Sequence, residues 1–195
     1  MAVKDKKQEI IAIGTELIAF NGYNATGIDS VLRQAGVPKG SFYHYFRSKE
    51  DFGLAIIDQF DREYDQKLRS FFEDHARSPL NRIRNYLEQS LAQMTENRFA
   101  KGCLIGNLGQ ELADQNERFR ERLETIFQSW RRHFSACLAQ AREKGELASG
   151  LEPDSIAEFI LAGWEGSILR AKVMKSPEPI RNFIDTLFLT VLKTF

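Results

Sequence analysis

Residues 36–51 read GVPKGSFYHYFRSKED, which sets four phenyl or phenol rings, three cations and a histidine in sixteen positions. Rings are normally buried in a soluble protein, and lysine and arginine normally stay outside. The segment therefore has to face two environments. Phe42 and Phe46 lie four apart and share one face of a short helix. That face suits a core. The other side carries Lys39, Ser41, Tyr43, His44 and Tyr45, donors and flat rings matched to phosphate oxygens and base edges in a major groove. Gly40 has no side chain, so backbone there can approach nucleic acid closely. Residues 37–49 hold Lys39, Arg47 and Lys49 and no acid, a local charge of +3. A core helix with a solvated basic edge would use the same residue types. Capping, turn and charge together favour DNA for the exposed set, while His44 either reaches DNA or packs on the scaffold.

The flanking sequence supplies the rest of a helix-turn-helix. Upstream, Ile28, Val31, Leu32 and Ala35 give a short helix one apolar face. Thr26, followed by Asp29, reads as a capping box with Asp in place of Glu. Gly36 can end that helix, and Pro38 suits the first turn of the next. Before them, a helix from Lys4 to Asn21 carries Ile10, Gly14, Leu17 and Ile18 on one face and is closed by Gly22. Downstream, Ser48 with Asp51 is an N-cap pattern, and Lys49 sits with it at a helix start. Helix-start amides at Thr26 and Lys49 favour a phosphate.

Beyond Pro79 the periodic segments lengthen, covering about 80–95, 103–113, 116–144, 153–175 and 178 onward, and no alternating β-branched run interrupts them. The expectation is an all-α chain of about nine helices. Residues 1–48 form a three-helix helix-turn-helix domain and 49–195 a second helical domain. The hydrophobic content of 43% is ample for a core, and zero formal net charge argues against a protein that coats nucleic acid by bulk charge. No apolar run approaches the ~20 residues of a membrane span, and no signal-peptide pattern opens the sequence. A cytoplasmic protein without membrane contact is expected. Cys103 and Cys137 are the two cysteines, in no metal-binding spacing, so neither a structural metal nor a cofactor is expected.

The stretch GYNATGIDSVLRQAGVPKGSFYHYFRSKEDF closely resembles the motif of TetR-family transcriptional regulators, through Gly22-Tyr23, Thr26, Ala35-Gly36-Val37, Lys39-Gly40-Ser41, Phe42-Tyr43, Phe46 and Ser48-Lys49-Glu50. The resemblance is strong over residues 8–55 and extends beyond them in helix layout. Pro38 departs from it, where a small polar residue is usual. The resemblance implies a homodimer on a palindromic DNA operator, usually a repressor released by a small ligand. It implies DNA contacts from Thr26, Lys39, Ser41, Tyr43, Tyr45 and Lys49, and a ligand-binding and dimerisation role for the second domain.

In that second domain the last two helices, about 153–195, form the expected dimer interface. Ala162, Gly163, Gly166 and Ser167 permit close helix approach, and the terminal segment is apolar over more than half its circumference. A monomer core would use the same residues. Candidate effector contacts are Tyr86, Met94, Phe99, Phe127, Trp130 and Trp164, each of which is either pocket or core. Cys103 lies at a helix start, where the dipole favours a thiolate, with Lys101 nearby. The "GCL" at Cys103, with "RAK" and "EP" near Lys172 and Pro179, resembles the electrophile-answering branch of the family. That likeness implies Cys103 as sensor and Lys172 as a stabiliser of its thiolate; a small buried hydrophobe is the other reading. Cys137 is assigned to packing. The alternatives are an all-α enzyme, against which stands the lack of any nucleophile–base constellation or phosphate loop, and an interaction protein with a degenerate helix-turn-helix.

Overall fold

The computed structural model describes residues 6–193. The expected start of the first helix at Lys4, and the last two residues of the terminal apolar segment, lie outside them. Among the described residues the chain is helical throughout, with no strand. It forms two compact units: one runs to Glu63 and takes in Cys103–Leu123, and the other comprises Tyr64–Gly102 and residues from Glu124 on. The sequence division after Ser48 falls at the start of a long helix whose first part belongs to the first unit.

The first unit contains α1 (Lys6–Asn21), α2 (Ile28–Ala35), α3 (Lys39–Tyr45), the beginning of α4 (Lys49–Phe72), α6 (Leu104–Leu112) and the first turns of α7 (Glu117–Glu143). Its core gathers Ile10, Ile11 and Ile18 from α1, Val31, Leu32 and Ala35 from α2, Phe42 and Phe46, and Phe52, Ile56 and Ile57 from α4. Each large side chain buried there contributes roughly 1.5–3 kcal/mol. Phe52 is the hub: its ring centroid lies 5.3 Å from Phe42 and 5.0 Å from Phe46. Gly14, predicted on the apolar face of α1, is what lets that helix come so close to the Phe52 ring.

The second unit is built from the rest of α4 and α7 with α5 (Pro79–Glu96), α8 (Pro153–Met174) and α9 (Glu178–Thr186). Rings of Phe72, Tyr86 and Phe134 meet edge-on or tilted at centroid distances of 5.0–5.7 Å. Arg82 is 1% exposed, and its guanidinium donates to the carbonyls of Phe72 and Arg77 and to Gln140 Oε1. A buried charge so fully hydrogen-bonded to oxygen acceptors is tolerable where an unpaired one would not be. Gly163, read as a close-approach position, receives the Phe183 ring of α9 from the same chain. The terminal helix does not continue as expected: after Thr186 the backbone widens into a π turn, Leu187–Val191, closed by Leu192 N–H donating to Leu187 O at 2.8 Å. The wider turn buries both Leu187 and Leu192.

Candidate nucleic-acid interface

The turn between α2 and α3 forms as its residues dictate. Gly36 adopts φ 64° and its N–H donates to Arg33 O, while Val37 N–H reaches Leu32 O at 3.1 Å. This left-handed closure is the one glycine accommodates without a Cβ penalty. The start of α2 differs from expectation. The capping box does not form: Gly27 is the N-cap, without a side-chain cap, and the Thr26 hydroxyl donates to Gly22 O at 2.7 Å. Thr26 is 3% exposed, so it ties the turn after α1 to the start of α2 from inside. The reason is competition: the Gly22 carbonyl lies within reach of the hydroxyl, and Asp29 is instead drawn to Lys39. At α4 the predicted cap is present, with the Asp51 amide donating to Ser48 Oγ at 3.0 Å.

Helix α3 separates its two faces as the opening stretch predicts. Phe42 is fully buried, whereas Tyr43 is 53% exposed. His44, Lys39 and Gly40 are exposed, and Ser41 and Tyr45 are half-buried at its edges. A Cβ added to Gly40 would meet nothing within 4 Å. Lys39 Nζ pairs with Asp29 Oδ1 at 3.1 Å, and this hydrogen bond holds the ammonium above its ordinary pKa. Arg47 is paired with Asp51 on α4. The basic edge is thus pinned locally by two acids that the count over residues 37–49 left out.

Lys49 leans back toward the turn after α1. Its Nζ donates to Asn24 O at 3.3 Å and lies 4.5 Å from the Tyr23 ring centroid. Desolvation lowers the ammonium's pKa despite an opposing pull from Glu111. Burial, aided by Glu50 and Glu111, pushes the Tyr23 phenol up to about 12. Glu111, at the end of α6, accepts from the Tyr23 amide at 2.8 Å and the Asn24 amide at 2.7 Å. Asn24 Nδ2 donates to Gln115 Oε1. Nearby, Glu50 accepts from Asn116 and Arg118, and Arg122 bridges Asp58 and Asp61, each at 2.7 Å. Sequence reading missed Glu111 because its partners are 88 and 87 residues away; no local pattern marks such a contact.

The comparisons with known proteins meet this geometry at both ends of the chain. The family "Bacterial regulatory proteins, tetR family" matches residues 10–56 and "Tetracyclin repressor-like, C-terminal domain" matches residues 79–187. The chain is 41% identical to the transcriptional regulator AcuR of Cereibacter sphaeroides over 92% of its own length and 82% of the relative's. The chain belongs to the TetR family. The HTH-type transcriptional repressor NemR of Escherichia coli is 34% identical, with 91% of this chain and 89% of that protein covered. Among solved structures, a regulatory protein TetR from Rhodobacter sphaeroides aligns with TM-score 0.87 at 41% identity, covering 92% of this chain and 95% of the other. Escherichia coli NemR in its reduced form aligns with TM-score 0.85 at 32% identity, over 94% and 95%. This is a sequence-specific DNA-binding transcriptional regulator of the TetR family, not an enzyme.

The remaining predicted residues of this TetR-family chain are distributed as follows. Cys103 is half-buried at the N-cap of α6, where Sγ accepts from the Gly106 amide at 3.4 Å. Lys172 is half-buried in the last turn of α8. Tyr86, Trp130, Trp164 and Phe99 are all buried in the second unit. Tyr86 shares a hydrogen bond of 2.6 Å with the Tyr64 hydroxyl, and the Tyr64 and Trp130 rings meet at 4.6 Å. Trp130 Nε1 is buried without a hydrogen-bond partner. Phe99 follows Arg98 in left-handed backbone, φ 54° and 50°, and its carbonyl accepts from Lys175 Nζ. Cys137 is buried, its thiol pushed up to about 12 by desolvation, with Sγ donating to Pro79 O. No group of His, Cys, Asp and Glu among the described residues forms a metal site, and no helix there is long and apolar enough to cross a membrane.

Proposed function

We propose that this regulator is a repressor that binds a palindromic operator as a homodimer and is released by a small-molecule or electrophilic effector. The observation that carries the DNA reading is the division of α3, with Phe42 wholly buried and the adjacent Tyr43 half-exposed. Lys39, Gly40, Ser41, Tyr43, His44 and Tyr45 make the contacts, joined by Lys49 at the start of α4. Thr26 supports them from within. NemR and DhaR from a Mycobacterium species, both described as HTH-type transcriptional repressors, support repression.

Dimerisation is attributed to α8 and the terminal turn. Phe159, Leu169, Val173, Met174 and Leu189 are between 42% and 68% exposed there, too much apolar surface to leave in water on two neighbouring elements. Two recognition helices then address half-sites about 34–36 Å apart. Effector binding favours the conformation in which that spacing is lost, and only differential affinity for the two states is required.

Cys103 is the electrophile sensor, and Tyr86, Phe99, Trp130 and Trp164 of the second unit line the effector site. The half-buried Cys103, whose Sγ accepts the Gly106 amide, supports this, as does the existence of a relative described in a reduced form. The test is fluorescence anisotropy on DNA from the gene's own promoter region, comparing wild type, Tyr43→Ala and Cys103→Ser with and without N-ethylmaleimide. Loss of binding in Tyr43→Ala with helicity intact supports the interface. Release of wild type but not Cys103→Ser supports the sensor, whereas equal release of both removes Cys103 from it.

A further inference from the structure

Glu111 does something that neither the recognition helix nor the sensor explains. Its two carboxylate oxygens each accept a backbone amide of the turn that follows α1: Tyr23 N–H to Oε2 at 2.8 Å and Asn24 N–H to Oε1 at 2.7 Å. The turn is shaped for it. Gly22 stands at φ 85°, and a Cβ there would sit 3.0 Å from Glu111 Oε2. Gln115, one turn further on, secures the Asn24 side chain. The same turn then presents what Lys49 uses, the Asn24 carbonyl and the Tyr23 ring. One carboxylate therefore organises one face of the turn and Lys49 rests on the other.

We propose that Glu111 is a positioning residue for DNA binding: by clamping the Tyr23 and Asn24 amides it fixes the ledge that aims Lys49 at the operator backbone. This rests on the assignment of Lys49 as a phosphate contact. A lysine releases counterions only to the extent that it neutralises a phosphate in the complex; off its ledge, Lys49 spreads over directions that miss the phosphate, and ordering it there costs affinity as well. Hydrogen bonds to an ionised acceptor are the stronger kind, and here two of them converge on one turn. Glutamine keeps the shape of the side chain but loses the charge and offers only one acceptor atom.

The experiment measures operator affinity of the full-length protein by anisotropy across a series of salt concentrations, for wild type, Glu111→Gln, Lys49→Ala and the double variant. Affinities are fitted on the fraction of protein active in a stoichiometric titration, so a partial folding loss in Glu111→Gln lowers that fraction and leaves the salt slope alone. Lys49→Ala is expected to reduce the slope of log K against log salt by about one. Glu111→Gln should lower affinity by a similar factor with a reduced slope, and the double variant should bind no more weakly than Lys49→Ala alone. The proposal is overturned if Glu111→Gln keeps the wild-type affinity and slope, or if the two losses simply multiply in the double variant. An unchanged slope in Lys49→Ala sinks the phosphate assignment and the proposal with it. A reduced slope there, with Glu111→Gln unaffected, sinks the proposal alone.

Discussion

Gly14 on α1 lies directly beneath the ring of Phe52 on α4: a Cβ at residue 14 would stand 2.3 Å from Phe52 Cζ and 2.9 Å from Ile56 Cδ1. Alanine gains about 1 kcal/mol of helix propensity in isolation. Here it must push a buried ring that also packs on Phe42 and Phe46. Overpacking of that kind costs roughly 1–3 kcal/mol. Gly14→Ala is therefore expected to lower the melting temperature despite the better propensity. A thermal melt unchanged or raised would mean that α1 can move away from Phe52 at little cost.

Gly40 is the opposite case. It also lies in a helix, but nothing lies within 4 Å of a Cβ placed on it. Gly40→Ala should leave the melting temperature unchanged or raise it, since propensity gains up to about 1 kcal/mol and no neighbour is displaced. Operator affinity should nevertheless fall, because the new methyl stands on the face assigned to DNA. If affinity and stability rise together, the backbone at residue 40 does not approach the duplex.

These two glycines also mark what could be read from the sequence. Gly14 fell on a 3.6-residue apolar stripe and Gly40 between Lys39 and Ser41, and local period and residue type were enough to place the first inside and the second outside. The helix order, the left-handed closure at Gly36 and the Ser48 cap were legible for the same reason: the interacting groups are within a turn or two of one another. Thr26 was misread because Gly27 takes the N-cap position and the Thr26 hydroxyl donates back to the Gly22 carbonyl at 2.7 Å, a choice of turn that the residue types alone do not distinguish from a capping box. The clamp at Glu111 and the attachment of α6 to the first unit depend on partners nearly ninety positions apart, where sequence periodicity carries no information. The π turn after Thr186 was hidden too, because its apolar pattern suits an α-helix equally well.

His133 Nε2 donates to Asp65 Oδ1 at 2.8 Å, and Arg69 Nε donates to Oδ2 at 2.7 Å. Burial pushes the Asp65 carboxyl up, but these two donors outweigh it and hold it below the ordinary range. A depressed carboxylate contributes stability above its unfolded value, about 4, and loses that contribution as pH falls through the folded value. Asp65→Asn should thus melt below wild type at neutral pH, and the two curves should converge as pH drops below about 4. A gap that persists at low pH would assign the loss to packing in place of charge.

Val173 is 68% exposed and Leu169 42% exposed on α8. If these surfaces meet across a two-fold axis, a charge on each copy faces its own image, since such an interface pairs the same patch with itself. Val173→Glu should raise the monomer fraction in sedimentation velocity and weaken operator binding, while far-UV circular dichroism stays unchanged. A variant that remains dimeric at the same concentration moves the interface off this part of α8.

The two thiols should differ sharply in chemistry. Cys137 is 2% exposed, its thiol is pushed up to about 12 and Sγ already donates to the Pro79 carbonyl. Almost no thiolate exists there near neutral pH, and the thiolate is the species that attacks an electrophile. Cys103 is half-buried and its sulfur accepts from a helix-start amide, an arrangement that suits negative charge on sulfur. Brief treatment of the folded protein with N-ethylmaleimide should therefore add a single adduct, located on Cys103 by peptide mass spectrometry, with Cys137 labelled only after denaturation. Equal labelling of both in the native state would show that the second unit opens readily enough to expose Cys137, and would leave thiol reactivity without power to single out a sensor.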